Sequence, residues 1–154
     1  MELNKKILTA KELQDIIIQN NHVEGLYGDG KSIATVPDIP IKHSFADQIY
    51  IRQMDMKVGQ IVIGAVHNHL HVWFLLTGKV CIIEDNEVVE HIAPCYTISK
   101  PGAQRIIYAQ EDSIFVNIHK NPENIKNIDE LEKEIVSMTQ EEFNKKYNTL
   151  WVLY

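Results

Sequence analysis

Cysteine is scarce in this chain: Cys81 and Cys95 are the only two in 154 residues. Two thiols make no disulfide framework. Both sit in strand-like apolar runs, Val80-Cys81-Ile82 and Pro94-Cys95-Tyr96, where a free thiol behaves as a small apolar side chain. Long apolar runs are missing as well. No stretch reaches the ~20 residues that a membrane-spanning helix needs. Met1-Glu2-Leu3-Asn4-Lys5-Lys6 leads into a helical pattern with acids in it, not into an apolar signal core. The expected location is the cytoplasm, with no membrane partner. Positive charge is in deficit: 15 Lys and Arg stand against 21 Asp and Glu, for a net charge of −6. A nucleic-acid-binding surface is usually basic, so nucleic acid is not an expected partner. Repeats and low-complexity segments are also lacking.

What is present is ordinary for a globular domain: 45% hydrophobic and 23% charged residues. A chain of this length buries roughly two-thirds of its unfolded surface and folds without a disulfide or structural metal.

Thr9-Ala10-Lys11-Glu12 has the form of a capping box. Leu13, Ile16 and Ile17 follow at helical spacing, which predicts a helix from Ala10 to Gln19. Residues 20–48, broken by Gly25, Gly28, Gly30, Pro37 and Pro40, read as an irregular wrapping segment. From residue 49 strand-like runs recur every 8–12 residues. They are Ile49–Met56, Gln60–His67, His71–Leu76, Lys79–Glu84, Val88–Ile92, Tyr96–Ser99, Arg105–Ala109 and Ile114–His119. So many short strands between turn signals predict a closed sandwich or barrel. Several are apolar on both faces, as in Val72-Trp73-Phe74-Leu75-Leu76. Two short helices are expected after it, Asp129–Val136 and Thr139–Tyr147. The apolar tail Leu150-Trp151-Val152-Leu153-Tyr154 is expected to dock on this subunit or on a neighbour. The divisions are then 1–48 (helix and wrapping segment), 49–119 (barrel) and 120–154 (helical extension and tail), within one domain.

The chemistry concentrates in the run His67-Asn68-His69-Leu70-His71. On a straight strand the three rings would share one face, with the outer two ~13 Å apart. Histidine binds a metal at ~2.1 Å, so one ion is shared only if the chain turns between His67 and His71. Asn68 suits that turn. His67 then ends one strand, His71 begins the next, and both point inward.

This spacing resembles the first cupin motif: glycine, five residues, His-x-His, three or four residues, Glu, six residues, Gly. Gly59 and Gly78 bracket it here. His71 falls where the family has glutamate, His67 on the second histidine, and Ala65 on the first. The second motif, Pro-x-Gly-x-x-His, corresponds to Lys100-Pro101-Gly102-Ala103-Gln104-Arg105, with the Pro-Gly turn shifted by one and Arg105 at the histidine position. The chain is also similar to small cupin-like proteins encoded in tailed-phage genomes. That similarity lies in Ile49-Tyr50-Ile51-Arg52-Gln53-Met54, Gly64 to Gly78, Ser99-Lys100-Pro101-Gly102, Glu111-Asp112 and Val116-Asn117-Ile118-His119. It implies host cytoplasm as the location and supplies no substrate. The resemblance covers roughly residues 49–119. It implies an all-β core in the cupin-type double-stranded β-sandwich (jelly roll) with short terminal helices, and pairing into a homodimer.

Ala65 and Arg105 cannot ligate a metal, so a third ligand beside His67 and His71 comes from His69, His119 or Glu84. His119, ending a strand near the pocket, is the best placed. An all-imidazole set suits iron, zinc, copper and nickel better than magnesium or calcium, and the candidate ions are Fe, Mn, Ni or Zn. Arg105 reads either as one half of an internal salt bridge to Glu84 or Glu90, or as an anchor for a carboxylate or phosphate. Arg52 has the same two readings. Trp73 and Tyr108 are candidate pocket walls. His22, His43 and His91 show no evident partner, and the acids of Asp129–Glu134 read as a solvated helix face. Two functions remain open: a metal-dependent protein acting on a small polar or anionic ligand, or a non-catalytic ligand-binding or phage accessory protein with a degenerate metal site.

Overall fold

The computed structural model describes Thr9, Lys11, Glu12, the strand Ile33–Ala34 and residues 39–147. The capping box is formed: the Thr9 amide donates to Glu12 Oε2 at 3.0 Å, and the Glu12 amide to Thr9 Oγ1 at 3.1 Å. The rest of the predicted N-terminal helix, His22 and the apolar tail lie outside the described residues.

Strands run β1 Ile33–Ala34, β2 Ile41–Ala46, β3 Ile49–Met56, β4 Ile61–Ile63, β5 Val66–His67, β6 His71–Thr77, β7 Lys79–Glu84, β8 Glu87–Ile92, β9 Cys95–Ser99, β10 Ile106–Ala109 and β11 Ser113–Lys120. Helix α1 (Ile128–Ile135), strand β12 (Val136–Ser137) and helix α2 (Gln140–Tyr147) follow. The order β1-β4-β10-β7-β8 makes one five-stranded sheet and β2-β3-β11-β6-β9 the other. All their pairings are antiparallel. Alternation along the strands sends one set of side chains between the sheets. Met54, Trp73, Leu75 and Phe115 from one sheet meet Val62, Val80, Ile82 and Ile107 from the other.

Three features differ from the sequence reading. Residues 41–46, expected to be irregular, form a strand that hydrogen-bonds along β3. The expected strand Gln60–His67 is broken at Gly64-Ala65 into β4 and β5, and β5 leaves the sheet to pair with β12. Val136, expected to end a helix, belongs to that pair opposite His67.

Gly78 shows why the first motif closes on glycine. Its φ is +85°, and a Cβ there would lie 2.2 Å from the Asp112 carbonyl oxygen. Both cysteines are free and half-buried. Among the described residues no helix is long and apolar enough to cross a membrane.

Candidate metal centre

The turn expected inside the histidine run exists: His67 ends β5, His71 opens β6, and residues 68–70 connect them. Asn68 holds the turn. Its amide donates to the Ile135 carbonyl at 2.7 Å, its Nδ2 to the Glu134 carbonyl at 3.1 Å, and its Oδ1 accepts from Ser137 Oγ at 2.7 Å. The Pro101-Gly102 turn closes on the other side of His67. The His67 amide donates to the Ala103 carbonyl, and its carbonyl accepts from the Gly102 amide.

A row of inward residues then crosses one sheet from strand to strand. Tyr50 on β3 is in register with His119 on β11. Val72 pairs with Ile118 between β6 and β11, and the same register one residue on sets His71 beside His119. His71 in turn faces Ser99 on β9. His67 enters from β5 above this row. The ring centroids of His67 and His71 are 4.2 Å apart, those of His71 and His119 4.7 Å, and those of His67 and His119 5.6 Å. One ligand atom from each histidine lies within 4.8 Å of the others, and all three side chains are buried. Separations of that size allow one ion to be shared at ordinary metal–nitrogen distances.

Burial also sets their charge. Desolvation, helped by the Arg105 guanidinium, holds His71 down to about 4. His67 is held well below its ordinary value by burial, then by Arg105 and its two histidine neighbours. His119 is lowered likewise, by burial, then His71, Arg52 and Arg105. At neutral pH all three imidazoles are uncharged, the form that binds metal.

Arg105 is 2% exposed. Its Nη1 donates to Ser99 Oγ, its Nη2 to Asn117 Oδ1 at 3.2 Å, and Nη2 also lies 3.5 Å from His71 Nε2. Its Nε has no hydrogen-bond partner. Burial lowers it to about 10, against the opposing pull of Glu84, so it stays charged at neutral pH. Neither expected salt bridge forms: Glu84 acts on it only from a distance, and Glu90 pairs with Lys79 at 3.4 Å.

His67, His119 and Arg105 border one cavity of about 50 Å³, with Tyr50, Arg52, Asn117 and Glu132 also in its wall. One water needs ~10–15 Å³ on the same measure, so an ion and a few small ligand atoms fit. Two expected wall residues are elsewhere. Trp73 is buried in the core against Phe115, with ring centroids 4.8 Å apart, and Tyr108 points outward, 41% exposed. His69 sits half-buried in the turn, edge-on to Tyr147, and lines a separate cavity with Lys120 and Glu134. His43 and His91 do have partners: His43 Nδ1 is 2.6 Å from the Tyr50 hydroxyl, and His91 packs edge-on against Trp73.

Glu132 is the residue that sequence reasoning missed. It was expected on a solvated face but is 6% exposed and lines the cavity. Its signal was positional. Ile128, Leu131 and Ile135 mark the inward stripe of α1, and Glu132, at i+4 from Ile128, falls on that stripe.

Two facing antiparallel sheets of this order, with short helices beyond them, make a double-stranded β-sandwich. No protein-family model matches the chain, and no curated protein matches it. Solved structures similar to it include a cupin superfamily protein from Desulfitobacterium hafniense, at 12% identity over 54% of this chain and 77% of that one, with a TM-score of 0.49. Another is a conserved protein with a double-stranded beta-helix domain from Klebsiella pneumoniae, at 18% identity over 56% and 80%, with a TM-score of 0.49. KdgF from Halomonas sp. is similar at 12% identity over 56% and 83%, also at 0.49. The fold assignment rests on the strand order given above.

Proposed function

We propose that this chain is a small cupin-fold protein that holds a divalent transition metal on His67, His71 and His119 and binds a small polar or anionic ligand beside it. The observation that supports this most directly is the trio itself: three buried imidazoles, from β5, β6 and β11, with ligand atoms within 4.8 Å of one another. Three protein ligands leave open coordination positions, the arrangement of sites that bind an exogenous molecule. Iron, nickel and zinc are suited by imidazole donors. Such an ion supplies Lewis acidity to whatever shares its coordination shell. Arg105 is the group suited to orient an anion there, with a planar fork and an unpartnered Nε.

A second reading is a non-catalytic ligand-binding or phage accessory protein. It is favoured by Ala65 and Arg105, which stand where the resembled motifs carry histidine ligands.

The deciding experiment is metal content by mass spectrometry of protein purified without a histidine tag, beside His67→Ala, His71→Ala. Near-stoichiometric transition metal that vanishes in the double variant supports the first reading. Equal metal in both, or none after reconstitution, sinks it.

A further inference from the structure

The three-histidine group that could hold an ion is electrically neutral. His67, His71 and His119 bring donor atoms and no negative charge. Among the described residues lining the cavity, two are cationic, Arg52 and Arg105, and one is anionic, Glu132. By formal charge the wall holds no surplus of carboxylates over cations to offset an incoming divalent ion.

Arg105 is the sharper part of that imbalance. Its Nη2 touches the ligand set, 3.5 Å from His71 Nε2. The groups that accept its hydrogen bonds, Ser99 and Asn117, are neutral. No carboxylate among the described residues forms an ion pair with it. A divalent cation held by His71 would stand close to this guanidinium, like charge beside like charge in a buried site. Two like charges in a buried site are tolerated when a counter-ion lies between them.

We propose that the centre takes up its metal together with a small carboxylate-class oxyanion, held between the histidine trio and the Arg105 guanidinium, so that each strengthens the binding of the other. This rests on the metal reading above and adds the ligand's class and its coupling to the ion. The planar guanidinium fork matches a planar carboxylate or bicarbonate. The cavity volume of about 50 Å³ favours an anion of few atoms. Coupling of this kind is reciprocal: the factor by which the anion tightens the metal is the factor by which the metal tightens the anion.

The test is a chelator-buffered Co(II) titration of the full chain in degassed buffer with a bulky sulfonate as the only anion. It is repeated with acetate, bicarbonate and phosphate. Acetate or bicarbonate should tighten Co(II) binding by about tenfold or more. Arg105→Gln should bind Co(II) without that dependence, and Arg105→Lys should keep part of it. Measurable Co(II) affinity that is the same in every anion overturns the inference and leaves the metal reading standing. Enhancement by phosphate alone overturns the carboxylate class. Absence of Co(II) binding in wild type under every condition, and in Arg105→Gln, brings down the metal reading itself. If Arg105→Gln does not fold, the wild-type anion series decides alone.

Discussion

Arg105 Nη2 lies 3.5 Å from Nε2 of His71, although His71 opens β6 of one sheet and Arg105 immediately precedes β10 of the other. A permanent cation beside a titratable ring makes the protonated ring costly. The same contact favours the neutral ring, the form that binds a metal.

Acid should therefore unfold this protein early. In the unfolded chain the imidazoles titrate near 6.5, whereas His71 in the folded chain titrates at about 4 and His67 and His119 are lowered well below 6.5. Between those values the unfolded chain binds protons that the folded chain refuses. Stability is full above about pH 6.5 and is lost as pH falls toward 4, by about 1.4 kcal/mol per pH unit for each histidine within its window. Urea unfolding of the metal-free protein at pH 7.5 and 5.5 measures this. Equal midpoints at the two values would show that the histidines are not held neutral.

Asn68 fastens the C-terminal segment to the metal-bearing turn. Replacing it with Ala removes two side-chain hydrogen bonds and leaves Ser137 Oγ and the Glu134 carbonyl without that partner. The expected cost is about 1–3 kcal/mol. Hydrogen exchange should rise in residues 128–137 more than in the sheets. Uniform exchange across the chain would contradict a local fastening.

Trp73 should behave as a core residue and not as a ligand contact. It is 1% exposed and packs on Phe115. Trp73→Ala is expected to cost about 3–5 kcal/mol. Trp73→Phe should retain Co(II) affinity within about twofold, since the ring borders no part of the histidine cavity. A larger loss of affinity in a folded Trp73→Phe protein would place it at the site.

The outer face of the β6–β9 pair carries Val72, Phe74, Leu76, Tyr96 and Ile98, of which the last three are at least half exposed. A patch of this kind calls for cover. Light scattering behind size exclusion should give twice the chain mass of 17.7 kDa at micromolar concentration. Tyr96→Asp with Ile98→Asp should return it to the single-chain mass. A wild-type monomer would refute the homodimer.

Much of the barrel was legible because period-two alternation and turn residues are local signals. Ile49–Met56 and Lys79–Glu84 fall where alternation put them, and the remaining expected strands shift by a residue or two, apart from the broken Gln60–His67 run. The turn between His67 and His71 was legible too, since a straight strand cannot bring those rings to one ion. β2 was not, because Ile41–Ala46 mixes polar and apolar positions and is a strand only through its bonds to β3.

The sequence by itself determined the strand periodicity, the split histidine run and the glycine at Gly78. Each of these follows from backbone geometry within a few residues. Tertiary structure alone decided that His119 stands beside His71, that Glu132 turns inward and Trp73 joins the core, and that Arg105 reaches the ligands without a carboxylate. Those are distances between residues far apart in the chain, set by strand register and by which face of α1 meets the barrel.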